Sequence, residues 1–118
     1  MLALIAFVFI AAQEPAKPAD LSVIEARLGP CAADFTVTGA DGKPVYAATI
    51  HVRIRYGFLS LKRMDLEVGT NSDGRARIDT LPASARRLVY DITKDDKKAS
   101  VEQNLATTCR GTHNVSLK

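Results

Sequence analysis

The chain has 118 residues, with 16 Lys and Arg against 13 Asp and Glu, a formal charge of +3 at pH 7. That length excludes more than one ordinary domain. At 47% hydrophobic and 25% charged it is globular material, neither disordered nor fibrous, and its charge is too mild to argue for a nucleic-acid partner, so none is expected.

Residues 1–12, M-L-A-L-I-A-F-V-F-I-A-A, carry no charged side chain. A membrane-spanning helix needs about 20 apolar residues, so this run is too short to span. It matches the apolar region of a secretory signal peptide, about 7–15 residues, with Ala11 and Ala12 where cleavage is expected. Residues 1–13 are therefore read as a signal peptide, 14–20 as a polar linker containing Pro15 and Pro18, and 21–118 as the folded domain. A buried N-terminal strand or helix is the alternative. No cysteine follows the apolar run, so no stable membrane anchor is expected after cleavage. Export implies a secreted or periplasmic location and an oxidising compartment, in which Cys31 and Cys109 are expected to pair. Two free buried thiols are the competing reading. The separation of 78 positions suits neither a zinc site nor a C-x-x-C redox pair.

From residue 21 the sequence reads as short alternating runs separated by turn chemistry. Residues 21–28 admit a strand or a short helix, with the strand favoured, and Gly29-Pro30 ends the segment. Phe35 and Val37 share a strand face over 34–38, and Asp41-Gly42 forms a tight turn. The alternation is clearest over 49–55: Ile50, Val52 and Ile54 face one way, while His51, Arg53 and Arg55 face the other. Met64, Leu66 and Val68 are in phase on the next strand. Thr70-Asn71-Ser72-Asp73-Gly74 forms a second turn, after which Arg75, Arg77 and Asp79 alternate with Ala76 and Ile78. Leu88, Tyr90 and Ile92 share a face. Residues 94–98 read as a charged loop. Val101, Gln103 and Leu105 mark another strand, and Val115 with Leu117 a last one. Seven or eight strands in about 100 residues predict an all-β fold, an antiparallel two-sheet sandwich of the transthyretin-like or immunoglobulin-like kind.

The run Val37-Thr38-Gly39-Ala40-Asp41-Gly42-Lys43-Pro44-Val45, followed by Ala47-Ala48-Thr49-Ile50-His51-Val52, by Thr70-Asn71-Ser72-Asp73-Gly74-Arg75-Ala76-Arg77-Ile78 and by Leu81-Pro82, resembles the carboxypeptidase regulatory-like domain. That is a transthyretin-like β-sandwich found in many exported bacterial proteins. The resemblance spans roughly residues 34–90 and rests on turn and core positions. It implies a folding, adhesion or interaction module with no enzyme activity of its own. Hydroxyisourate hydrolases share this fold and a T-N-x-D-G-R run, which residues 70–75 match. The histidine that this likeness requires on the first strand is missing from Asp34-Phe35-Thr36-Val37, and Arg110-Gly111-Thr112 follows Cys109 instead of tyrosine. Their catalytic set is therefore not carried over, and hydrolase activity stays a distant alternative.

Other constellations are weaker. His51 and His113, with Asp65 or Glu67, lack metal-like spacing, so no metal or cofactor is expected. Asp41 and Asp73 offer one carboxylate per turn, fewer than a calcium loop supplies. Asp95-Asp96 lies in a lysine-rich loop and is read as solvated. Tyr46, Tyr56 and Phe58 form either an exposed apolar edge or part of the core. Charge is more informative: between His51 and Arg87 there are eight basic and four acidic residues. If their strands share a sheet, Arg53, Arg55, Arg75 and Arg77 make one basic patch able to grip carboxylate or phosphate; the alternative is a solvated face. The expected function is a non-enzymatic binding or structural module of the cell envelope, with an envelope protein or acidic polysaccharide as partner. The alternative is an accessory subunit that docks on a larger complex by edge-strand addition.

Overall fold

The computed structural model describes residues 21–118. The signal-peptide and linker readings lie outside the described residues. Eight strands follow in order: β1 (Ser22–Glu25), β2 (Cys31–Gly39), β3 (Thr49–Tyr56), β4 (Lys62–Gly69), β5 (Arg75–Leu81), β6 (Arg87–Lys94), β7 (Lys97–Asn104) and β8 (Arg110–Leu117). They form two four-stranded sheets, β1-β5-β2-β8 (sheet I) and β4-β3-β6-β7 (sheet II). The two-sheet sandwich is as the alternation predicts, and the first ambiguous segment is a strand.

Two pairings depart from a purely antiparallel arrangement. β1 runs parallel to β5, and β8 runs parallel to β2. Both join strands far apart in sequence, where no hairpin dictates direction and a long crossover is available. The two strands at the edges of sheet I are the first and last of the described residues. β2 also starts earlier than the alternation suggests, because Cys31, Ala32 and Ala33 are all buried and a bulge sits between Cys31 and Ala33. The charged run 94–98 is not a loop: Lys94 pairs with Lys97 and Thr93 with Lys98, leaving a tight turn at Asp95-Asp96.

The core lies between the inner faces. Sheet I contributes Ala33, Phe35, Val37, Ala76, Ile78, Val115 and Leu117, and sheet II contributes Ile50, Val52, Ile54, Leu88, Tyr90 and Ile92, all buried. Thr70 and Asn71 hold the second turn against this core. Thr70 Oγ1 donates to Val45 O (2.6 Å) and accepts the Ala48 N–H (2.9 Å). Asn71 Oδ1 accepts the N–H groups of Asp73 and Arg75, each at 2.9 Å. Asp41 Oδ1 likewise accepts the Lys43 N–H (3.0 Å). Of the two aspartates that could have suggested calcium, Asp41 serves the turn with its carboxylate and Asp73 with its N–H.

One polar side chain crosses the interior. Gln103 of β7 is almost wholly buried. Its Nε2 donates to Ala32 O (3.1 Å), at the start of β2, and to Thr108 O (2.8 Å), just before β8. Its Oε1 accepts from Tyr90 OH (3.1 Å) and from His113 Nε2 (3.0 Å). Because Oε1 can only accept, the His113 proton sits on Nε2. A Cβ on Gly111 would lie 2.8 Å from the Gln103 Cδ, so only glycine leaves room for the carboxamide. Beside this node Cys31 and Cys109 form the expected disulfide, and Cys109 O accepts the Ala32 N–H (2.8 Å).

Two stability outcomes follow. Replacing Cys31 and Cys109 by serine is expected to lower unfolding free energy by roughly 4 kcal/mol through loss of loop closure. Gln103→Leu orphans two carbonyls and is expected to cost about 2 kcal/mol or more. Urea unfolding of each variant checks both; a Gln103→Leu protein as stable as the parent would remove the carboxamide from this role.

Candidate functional site

Alternation on β3 buries Ile50, Val52 and Ile54 and turns His51, Arg53 and Arg55 to the outer face of sheet II. On β5, Ala76 and Ile78 are buried and Arg75 and Arg77 face outward from sheet I. The two arginine pairs are therefore on opposite outer faces of the sandwich, and the single four-arginine patch does not form. Its condition, a shared sheet, fails because the chain crosses between layers after β2 and again after β4. Arg77 is moreover held by Asp34, with Nε 2.6 Å from Oδ1.

Sheet II builds a different basic site. β3 and β6 pair only from Thr49↔Thr93 to Val52↔Tyr90. Beyond that point β3 stays with β4 to Tyr56, and β6 stays with β7 from Arg87. The sheet splays into two hairpins, with a 3-10 turn at Ala83–Ala85 beside the opening. The result is a groove of about 600 Å³ lined by His51, Arg53, Arg55, Ser60, Arg87 and Asp91, with Ala85, Leu88 and Val89 as its apolar part. Arg87 was counted in the basic excess but not assigned to a site, since only the β3–β6 adjacency brings it beside Arg53 and Arg55.

The charges of the groove are unequally satisfied. Arg53 Nε meets Asp65 Oδ1 at 3.0 Å, and His51 Nε2 lies 3.3 Å from the same oxygen. The Arg53 hydrogen bond, aided by His51, holds the Asp65 carboxyl below its ordinary value against the opposing effect of desolvation. Arg87 Nη2 meets Glu102 Oε2 at 2.7 Å. Each of these guanidiniums uses one donor of five, which leaves the others for a ligand. Arg55 has no acidic partner among the described residues. Across the β3–β4 ladder it stands opposite Arg63, a like-charge pair that disfavours the sheet unless an anion sits between or beside the two.

The remaining candidates separate. His51 is on the outer face and His113 faces the interior, stacked on Phe35 with ring centroids 5.2 Å apart. They do not meet, and among the described residues no three His, Cys, Asp or Glu side chains gather as a metal site. Tyr46 precedes β3 and Phe58 follows it, so the strand holds them at opposite ends. Tyr56 packs against the core, whereas Tyr46 and Phe58 are 65% and 81% exposed.

No protein-family model matches this chain, and no curated protein sequence matches it. Among solved structures it is similar to catechol 1,2-dioxygenase from Pseudomonas arvilla C-1, with a TM-score of 0.56 and 12% identity over 93% of this chain and 59% of that one. It is likewise similar to a point variant of the Acinetobacter radioresistens catechol 1,2 dioxygenase, at TM-score 0.55 and 14% identity, over 93% of this chain and 59% of that one. The chain spans less than two thirds of these proteins, and at such identity the likeness carries the fold, a β-sandwich, and no site. Both neighbours are enzymes, so the expectation of a non-enzymatic chain takes no support from them.

Burial pushes the His113 imidazole below its ordinary value of 6.5. The unfolded chain therefore takes up this proton first as pH falls. The His113 contribution is complete above the usual histidine range and is lost as pH drops through about 6.5 and below. Urea midpoints at about pH 7.5 and pH 5.5 should show a fall that His113→Gln reduces; an equal slope in the variant would exclude His113. Separately, Arg55→Glu turns the Arg55–Arg63 repulsion into an ion pair, and thermal melts at low salt should show a gain of about 0.5 kcal/mol.

Proposed function

We propose that the chain is a non-enzymatic binding module that takes a carboxylate or phosphate group of an envelope component in the groove of sheet II. The observation that carries this reading is the convergence of Arg53, Arg55 and Arg87 on one opening, with Arg55 unpaired by acid among the described residues and opposed by Arg63. Guanidinium groups stay protonated at any physiological pH and present fixed forks of donors that match planar oxyanions. They suit capture of an anion better than proton transfer, which is why binding is preferred here to catalysis.

Export fits the disulfide, because such bonds persist in oxidising compartments. Among the described residues no helix is long and apolar enough to cross a membrane. The disulfide and the apolar run at residues 1–12 together support a secreted or periplasmic location. The turn motifs, whose hydrogen bonds are made in full by Thr70, Asn71 and Asp41, support membership of the carboxypeptidase regulatory-like group and its role as an interaction module.

The second reading, docking by strand addition, is favoured by β8. It is an eight-residue edge strand paired only with β2, and Arg110 is its one Lys or Arg. Other edges of this length carry more charge: β4 has Lys62, Arg63, Asp65 and Glu67, a pattern that discourages edge pairing.

Titrating the protein with inorganic phosphate and with polygalacturonate, while following amide and guanidinium chemical shifts, separates the two. The groove reading expects shifts at Arg53, Arg55 and Arg87 that Arg55→Gln with Arg87→Gln abolishes, and none at Arg75 or Arg77. Absence of any shift at the three groove arginines with either probe would reject it. If a native partner is instead displaced by Asn114→Lys with Ser116→Lys on β8, and not by the groove substitutions, strand addition is the operating mode.

A further inference from the structure

The connection between β3 and β4 is unusual in what it shows to solvent. Phe58, Leu59 and Leu61 are 81%, 74% and 78% exposed, in a segment of only four residues. Apolar side chains of this size scattered singly need no explanation, but three together on one loop tip mark an interaction surface. The backbone holds them there deliberately. Gly57, Leu59 and Ser60 have φ of 84°, 57° and 56°, so two non-glycine residues occupy the left-handed region within one short turn. Such conformations cost free energy and persist where the surroundings over-determine them, commonly at binding sites. Ser60 N donates to Gly57 O (3.0 Å) and Leu61 N to Phe58 O (3.2 Å), closing a 3-10 turn that turns none of its side chains inward.

The apolar tip is ringed by positive charge. Arg55 precedes it on β3, Lys62 and Arg63 follow it on β4, and Ser60 lines the groove together with Arg55 and Arg87. Arg55, Ser60, Leu61 and Arg63 also line a smaller depression of about 290 Å³ that shares Arg55 and Ser60 with the groove. The apolar tip and the anion groove thus form one surface: aliphatic and aromatic side chains at the apex, guanidinium and ammonium groups in a collar immediately behind. We propose that this surface docks on an anionic lipid bilayer, with Phe58, Leu59 and Leu61 entering the headgroup–acyl boundary and the Arg55–Arg87 groove receiving a lipid headgroup phosphate. This rests on the anion-groove reading and assigns it a source. Charge complementarity selects the occupant. A protein partner would need an apolar pocket fitted to the tip and an acidic rim around it, whereas an anionic leaflet presents both an apolar interior and a negative surface to any tip of this design.

The test uses the mature protein, phosphatidylcholine vesicles with or without phosphatidylglycerol, and soluble glycerol phosphate. Phe58→Ser with Leu59→Gly alters the tip without touching a residue that lines the groove, and Arg55→Gln with Arg87→Gln alters the groove alone. The parent should co-sediment with phosphatidylglycerol vesicles and not with phosphatidylcholine alone, and raising salt should weaken the association. The tip variant should lose vesicle binding by about tenfold or more yet keep the glycerol phosphate shifts at Arg53 and Arg87. The groove variant should lose both. A tip variant that binds vesicles like the parent, or a parent that binds glycerol phosphate but no vesicle, overturns the lipid inference and leaves the groove reading standing. Loss of glycerol phosphate binding in the parent itself overturns the groove reading as well. Leu59→Gly alone guards against a merely structural explanation: relief of the left-handed backbone should leave the melting temperature equal or higher while vesicle binding falls. A lower melting temperature would assign Leu59 to the fold.

Discussion

The buried carboxamide of Gln103 is the contact on which the arrangement of this sandwich depends. It projects from sheet II and meets sheet I at the start of β2 and the connection into β8, while Tyr90 and His113 close its acceptor side. A lone amide in an apolar interior is costly, and a half-satisfied one is worse than none. Here both Nε2 protons and the carbonyl oxygen are used, and among the described residues no buried side-chain nitrogen or oxygen lacks a partner. The disulfide lies beside the same point and ties the first residue of β2 to the residue before β8. Hydrophobic burial drives the sheets together without direction. The amide and the disulfide say where along the strands they meet, and they set β8 parallel to β2 as the closing edge of sheet I.

Sheet II opens at the same end as this node, since Gln103 stands opposite Leu88 on β6, one of the residues that line the groove. Gln103 and Tyr90 hold β7 and β6 to the core, and β3 is in ladder contact with β6 only as far as Val52. Past it, β3 leaves with β4, and its outward arginines come to face Arg87 across a gap instead of across a hydrogen-bonded ladder. In a closed sheet, Arg53 and Arg55 would be solvated side chains of little consequence. In a splayed one they become walls. Asp65 and Glu102 each neutralise one arginine from outside the groove, which leaves the positive excess concentrated at Arg55 and Arg63, next to the apolar turn. A sequence optimised for stability alone would not set two arginines opposite each other and then expose Phe58, Leu59 and Leu61 beside them on a left-handed backbone.

The alternation of Ile50, Val52 and Ile54, of Ala76 and Ile78, and of Leu88, Tyr90 and Ile92 was legible because a strand with one buried face writes its period of two directly into the chain. The turns were legible because glycine and asparagine at Gly42, Asn71 and Gly74 serve backbone needs that few residues meet. The pairing of strands was not. Parallel neighbours such as β2 and β8 leave no local signal, and the layer to which β5 belongs depends on crossovers that periodicity does not encode. The four-arginine patch is absent for that reason alone: each arginine faces outward as the alternation predicts, and the shared sheet on which the patch is conditional is not present. Gln103 was read as one more strand residue because a polar side chain in alternating phase looks the same whether it is solvated or bonded across a core. Tyr46 and Phe58 looked like neighbours in sequence, but eight extended residues of β3 separate them in space.

The exposed turn gives the clearest case of local rules yielding to something else. Leu and Ser have no intrinsic preference for the left-handed region, and a glycine or asparagine at either position would relieve the backbone. The tip also forgoes burial: Phe58, Leu59 and Leu61 would each gain by folding back on sheet II, where Ala85 and Leu88 already offer an apolar floor to the groove. Folding back would fill the groove and cover Arg55. Holding the side chains outward keeps the guanidinium accessible at the groove. The strain of the turn and the repulsion between Arg55 and Arg63 are thus two parts of one arrangement. Both are unfavourable in the isolated protein; an anion beside Arg55 and Arg63 would offset their repulsion, and an apolar cover over Phe58, Leu59 and Leu61 would recover the burial that the turn forgoes.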